Sequence, residues 1–210
     1  MADLSNPQKK SAHEYLSDTA RETVAIQQAF LLEEGARLVH AAEIIGASIR
    51  AGGKLLILGN GGSAADAQHM AAEMVGKLMI DRPALPAIAL TTDSSNLTAI
   101  ANDYGYDRVF ARQVEALARK GDVVLAISTS GNSPSVLHAI EAARGLGCRI
   151  ISLTGGSGGK LKGLSEICLN VSLGKNSSRI QETHIFAIHS LVDLVDRYYL
   201  AGVFGGPVGP

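Results

Sequence analysis

His69 and Glu73 stand four residues apart in an alanine-rich stretch, residues 64–73, that holds no helix breaker. On a helix this spacing puts an imidazole and a carboxylate on one face. There they can work as an acid/base pair, share a metal ion, or form an ordinary surface hydrogen bond. Immediately before them lies Gly59-Asn60-Gly61-Gly62-Ser63, entered from the apolar run Leu55-Leu56-Ile57-Leu58. The order is strand, glycine-rich turn, helix N-terminus. The first N–H groups of a helix have no partner inside it, and its dipole is positive there, so an anion meets both needs. Ser63 can add a hydroxyl. The pattern is not G-x-G-x-x-G and lacks a following Lys-Ser/Thr, so neither a dinucleotide turn nor a Walker loop is expected.

A second loop offers similar chemistry. Ser128-Thr129-Ser130-Gly131-Asn132-Ser133 follows the expected strand 122–127 and leads into Pro134, which suits the first position of a helix. Ser128, Thr129, Ser130 and Ser133 put four hydroxyls within six residues, more than a helix cap needs. Hydroxyls and backbone N–H groups suffice to hold a phosphate monoester. A serine nucleophile is not expected, because the G-x-S-x-G elbow is absent. The last long helical stretch, from Arg179, carries Gln181, Glu182, His184 and His189. Gln181 and His189 lie about 80° apart around a helix axis and about 12 Å along it. Spacing alone does not bring both to one small site; a long glutamine side chain or a subunit boundary would.

Apolar runs and helical stripes alternate through the chain. Short strands are expected at about 55–58, 86–90, 122–127, 148–153 and 166–171, with helices between them, one from Arg108 to Ala118 among them. That alternation implies a three-layer α/β fold, a five-stranded parallel sheet flanked by helices, with ligands at the carboxyl ends of the strands. Two helices are expected ahead of the first strand, at about 13–30 and 33–50. Their apolar faces exceed the needs of one sheet and point to another subunit. The chain reads as a single domain, 1–210: N-terminal helices to about 50, an α/β core over 54–200, and a Gly/Pro tail over 201–210.

Size and composition bound the rest. The 210 residues carry a formal net charge of −1, with no electrostatic case for nucleic acid or an acidic membrane. No apolar run approaches the ~18 residues that span a bilayer, and no signal peptide opens the chain, so the cytoplasm is expected. The two cysteines, Cys148 and Cys168, fall in expected strands and read as small buried thiols.

Taken in order, Gly59-Asn60-Gly61-Gly62-Ser63, Ala67-Gln68-His69 with Glu73, Asn102-Asp103-Tyr104-Gly105, the loop 128–133 and Arg179-Ile180-Gln181-Glu182 resemble the sugar-isomerase (SIS) domain of the phosphoheptose isomerases. The resemblance runs from about residue 14 to 200. It implies a flavodoxin-like or Rossmann-like sheet and conversion of sedoheptulose 7-phosphate to D-glycero-D-manno-heptose 7-phosphate, the first step of ADP-heptose synthesis for lipopolysaccharide core or other heptose glycans. It also implies a cytoplasmic homotetramer with active sites between subunits. Ser63, Ser128, Thr129, Ser130 and Ser133 would hold phosphate, and Asn60, Gly61, Gly62, Asn102 and Asp103 would line the sugar. Glu73 and Gln181 also belong to the implied substrate contacts. His69, Glu73, Gln181 and His189 match the zinc ligands of metal-bound members, and Glu73 and His189 the acid/base pair. Ser178 departs from relatives that place an aspartate there, and the tail lies outside the pattern. Two further readings stay open. One is a non-catalytic SIS tetramer that binds the replication initiator, a relative the resemblance implies lacks the counterparts of Glu73 and His189. The other is an isomerase of another sugar phosphate.

Overall fold

The computed structural model describes residues 10–199. The expected tail, 201–210, lies outside them. Seven α-helices and five strands alternate among the described residues. The strands are β1 (Leu55–Gly59), β2 (Ala87–Ala89), β3 (Val123–Ser128), β4 (Arg149–Gly155) and β5 (Ile167–Val171). All pair in parallel in the order β2-β1-β3-β4-β5. The chain reverses its direction of travel across the sheet between β1 and β3, where open α/β sheets form their binding crevice.

Side chains alternate along each strand and split the core in two. Leu55 and Ile57 face one layer with Leu125 and Ile127, covered by α1 (Ala12–Arg50), α2 (Gly62–Val75) and α7 (Ser177–Tyr199). Leu56 and Leu58 face the other with Val124 and Ala126, covered by α4 (Ala111–Leu117) and α5 (Pro134–Gly145). Helix α3 (Ser94–Tyr104) follows β2, capped by Asp93, whose carboxylate accepts from the Asn96 N–H at 3.0 Å. A short helix α6 (Leu161–Leu164) follows β4.

The N-terminal segment corrects one expectation: it is a single helix of 39 residues, not two. Only Leu31 and Leu32 separate the two expected pieces, and Gly35 just beyond them costs about 1 kcal/mol against alanine without stopping a helix. The buried stripe Phe30, Glu34, Leu38, Ala41, Ala42 and Ile45 runs across Gly35 without a gap. Its start carries a capping box, with Ser11 accepting from the Glu14 N–H and Glu14 accepting from the Ser11 N–H. At ~1.5 Å per residue the helix is about 58 Å long, so its first turns extend past the short strands. There Tyr15, Leu16, Val24, Leu31 and Leu32 are exposed.

The expected helix over Arg108 to Ala118 is instead a 3₁₀ turn, Tyr106–Arg108, followed by α4. Cys148 precedes β4 and is half-buried; Cys168 lies buried in β5, and both are free thiols. No helix among the described residues is long and apolar enough to cross a membrane.

Candidate active site

The two glycine- and hydroxyl-bearing loops leave adjacent strands, β1 and β3, at the point where the chain reverses direction. In the first loop Gly61 adopts φ +57°, which a side chain rarely tolerates, and caps α2 with its backbone only. A Cβ on Gly62 would lie 2.4 Å from Gln181 Nε2, so glycine is what lets α7 lay Gln181 against the first turn of α2. Ser63 is buried behind them. Asn60 is held from both sides: Tyr106 donates its hydroxyl to Oδ1 at 2.8 Å, and Nδ2 donates to Ser135 Oγ at 3.1 Å. The second bond joins the loop after β1 to the first turn of α5.

In the second loop Ser128 is buried, Thr129 half-buried and Ser130 exposed. Ser128 Oγ and Ser133 Oγ stand 3.1 Å apart. Ser133 caps α5 without a side-chain bond to its N–H groups, and Pro134 follows at the helix start. The N-terminus of α5 thus opens towards the β1–β3 crevice with its hydroxyls uncommitted to capping.

The catalytic candidates meet on the same face of the sheet. Helices α2 and α7 run side by side in the same direction: Gly62 lies level with Gln181, and His69 with His189. His69 Nε2 and His189 Nε2 are 2.8 Å apart, and the rings meet edge to face at a centroid distance of 5.0 Å. Glu73 Oε1 lies 3.6 Å from His69 Nε2, one turn further along α2. The structure thus gathers His69, Glu73 and His189. It leaves Gln181 about two turns away, as its spacing from His189 requires. A cleft of about 220 Å³ opens beside His189, lined by Leu78, Met79, Phe186, Ser190 and Asp193. A larger one of about 580 Å³ lies at the exposed start of α1, lined by Ser178 and Arg179 among others, apart from the histidine pair. Asn102 Nδ2 donates to Asp103 Oδ1 at 2.7 Å on the exposed end of α3.

The ends of α2 and α7 are tied by a buried ion pair. Arg82 Nε donates to Asp196 Oδ1 at 2.6 Å, and its guanidinium also donates to the carbonyls of Glu73 at 3.0 Å and Met74 at 2.7 Å. One side chain therefore caps α2 directly beneath Glu73 and anchors it to α7. At the other end, Arg179 and Glu182 both bond to Thr23 of α1.

The donor set fits zinc, which takes imidazole nitrogen and carboxylate oxygen. Two facing Nε2 atoms with a carboxylate alongside are the start of such a site. Among the described residues no three of His, Cys, Asp and Glu already stand at coordinating positions, and the imidazoles close on each other by a hydrogen bond. Gln181 would join only by leaving Gly62 or by arriving from a second copy.

Two titratable groups lie near this machinery; Asp66 was not singled out in the sequence, and His184 was named there only as a residue of the last helix. Asp66 lies one turn before His69; burial pushes its carboxyl up to about 6 against the opposing charge of His69, and its Oδ2 is buried without a partner. His184 is fully buried on α7 with Nε2 at 3.0 Å from the Thr154 carbonyl, and burial pushes its imidazole down to about 4. Asp66 was within reach of pattern reasoning, since it shares a helix face with His69. Tyr106, Ser135 and Arg82 carried no such signal, because each acts through a partner remote in the chain.

Comparison with known proteins agrees with this architecture. The SIS domain family model matches residues 20–155. A phosphoheptose isomerase of Desulfovibrio desulfuricans is 49% identical over 193 residues, covering 92% of this chain and 91% of the relative. One from a Geobacter species is 58% identical over 157 residues, covering 75% and 81%. The structure of a phosphoheptose isomerase from Neisseria gonorrhoeae superposes with a TM-score of 0.83 at 44% identity, over 89% of this chain and 99% of the other.

Proposed function

The chain belongs to the SIS-domain family, on its phosphoheptose isomerase branch, and from that premise we propose how its own residues carry out the reaction. It is an aldose–ketose isomerase that converts sedoheptulose 7-phosphate to D-glycero-D-manno-heptose 7-phosphate. The observation that carries the mechanism is the convergence of Glu73 with the His69–His189 pair on α2 and α7, about two helical turns from the loop at Gly62.

The loop 128–133 and Ser63 hold the phosphate through hydroxyls and helix N-termini. Asn60, Gly61 and Gly62 line the sugar, with Tyr106 and Ser135 orienting the Asn60 amide. Glu73 takes the proton from C1 of the ketose as O2 is protonated, which leaves an enediol. It then returns the proton to C2 while O1 gives up its own, and the product is the aldose. His189 serves the two oxygens, and its bond to His69 supplies a proton relay. The reading in which His69, Glu73, His189 and Gln181 hold zinc assigns that ion the polarisation of the carbonyl and hydroxyl oxygens. A carboxylate bound firmly to a metal is not a free base, so the two roles of Glu73 compete.

The exposed apolar residues along the first half of α1 support a homotetramer with sites between subunits, and we place it in the cytoplasm. A non-catalytic, initiator-binding module is not favoured, since both Glu73 and His189 are present. The test is direct. The purified protein is incubated with sedoheptulose 7-phosphate after chelation, and again with added zinc, with the aldose followed by NMR. Product in both arms establishes a metal-free acid/base pair, and product only with zinc assigns the metal role. No product in either arm overturns the mechanism.

A further inference from the structure

The loop 128–133 is held partly by its own bonds and partly from outside. Both ends of the exposed Asn132 side-chain amide bond to the protein itself. Nδ2 donates to the Ser130 carbonyl at 2.9 Å, and Oδ1 accepts from the Lys160 N–H at 3.0 Å. Its backbone N–H donates to Ser130 Oγ at 3.2 Å. One residue later Leu161, fully buried in the core, donates its N–H to the Gly131 carbonyl at 3.1 Å. The turn after β4 therefore lies directly against the loop after β3. The contact is backbone on backbone. A Cβ on Gly131 would meet the Gly158 carbonyl oxygen at 2.0 Å, and one on Gly159 would meet the Ser130 carbonyl oxygen at 2.4 Å.

We propose that Asn132 and the turn Gly158–Lys160 form a brace that sets the position of the Ser128–Ser133 loop, so that Asn132 is a positioning residue for the substrate phosphate and not one of its ligands. This rests on the reading of that loop as the phosphate site. Both ends of the Asn132 amide are committed to the protein, so the loop meets the ligand through its hydroxyls and not through Asn132. The glycines permit the closeness, and buried Leu161 anchors the turn to the core. Any change that pushes the turn outward moves the Ser130 carbonyl and the hydroxyls that precede and follow it.

Two glycines of the same turn make the test discriminating. Gly159 has φ +55° and Gly156 φ +58°, so alanine imposes similar backbone strain at either. Only at Gly159 does the added carbon strike the phosphate loop; at Gly156 it meets nothing within 4 Å. The experiment measures KM for sedoheptulose 7-phosphate, kcat, and the inhibition constant of inorganic phosphate in Asn132→Ala, Gly159→Ala, Gly156→Ala and Ser133→Ala. Loss of the two Asn132 side-chain bonds is expected to raise KM and the phosphate inhibition constant together by about tenfold, with kcat within about twofold. Gly159→Ala is expected to do at least as much, and Gly156→Ala to leave both constants unchanged despite its strain. If Ser133→Ala raises both constants while Asn132→Ala and Gly159→Ala do not, the brace is wrong and the phosphate loop stands. If Ser133→Ala changes neither, the phosphate reading falls and the brace with it. Should Gly159→Ala fail to fold, exposed Asn132 still decides the matter.

Discussion

His69 and His189 face each other Nε2 to Nε2 at 2.8 Å although 120 residues separate them. In such a contact one nitrogen donates and the other accepts. The pair therefore holds a transferable proton, and it holds it within 3.6 Å of the Glu73 carboxylate, measured from His69. In the proposed mechanism this would place an oxygen-directed proton source beside a carbon-directed base, between two parallel helices.

Replacing Glu73 with glutamine keeps the shape of the side chain and removes its basicity. Turnover of sedoheptulose 7-phosphate is expected to fall by about 10²–10⁴-fold, the usual share of a positioned general base. Binding of the sugar phosphate, followed by calorimetry, should stay within a few-fold of the parent. Near-normal turnover would remove Glu73 from the role given to it.

Zinc affinity separates the metal reading from a purely acid/base one. Competition with a chromophoric chelator should show tight binding by the parent protein. His69→Gln and His189→Gln should each weaken it by at least about tenfold, since even supporting residues of metal sites cost that much. Equal affinity in parent and variants would place the ion elsewhere.

The Arg82–Asp196 pair is fully buried, with the Arg82 guanidinium also capping α2 below Glu73. Asp196→Ala leaves that guanidinium buried without its counter-charge. The expected cost is about 3–5 kcal/mol in urea denaturation. A loss below about 1 kcal/mol would show that the pair contributes little to joining α2 and α7.

Acid should weaken the fold through His184. Its folded pKa of about 4 lies below the unfolded value of 6.5. Between those values the unfolded chain binds a proton that the native state refuses, so stability is full above pH 6.5 and falls as pH drops towards 4. Over that window the loss is about 2–3 kcal/mol. Asp66 acts in the opposite sense: with its folded pKa raised to about 6, it recovers stability over the same descent, but it is only half-buried and its share is smaller. His184→Leu should flatten the decline in denaturation midpoint between pH 7 and 4.5. An unchanged slope would count against it.

Assembly is expected to depend on the first half of α1. Light scattering at micromolar concentration should give a tetramer. Leu32→Glu, at a side chain 88% exposed in the single chain, should dissociate it and lower activity if sites are shared between copies. A monomeric parent with full activity would contradict shared sites.

Much of this molecule is written locally. Apolar runs such as 55–58 and 123–127 are strands because their side chains alternate between two buried layers, and the glycine and hydroxyl loops follow them directly. The four-residue step from His69 to Glu73 becomes one helix face wherever that helix lies. These features depend on neighbours a few residues away, so periodicity and spacing determine them, and the ordered motifs carry the family resemblance. Longer-range outcomes were not legible. Two helical stripes read as two helices, yet α1 runs unbroken through Gly35 because a buried stripe on both sides of it packs against α7 and the sheet. The commitment of Asn60 to Tyr106, the seating of Gln181 on Gly62, and the approach of the turn at Gly158–Lys160 to Asn132 join residues far apart in the chain. Local residue type sets which groups can do chemistry. Packing of α2 against α7 and of one loop against the next decides which of them meet, because those distances are fixed by the whole core and by no single stretch of sequence.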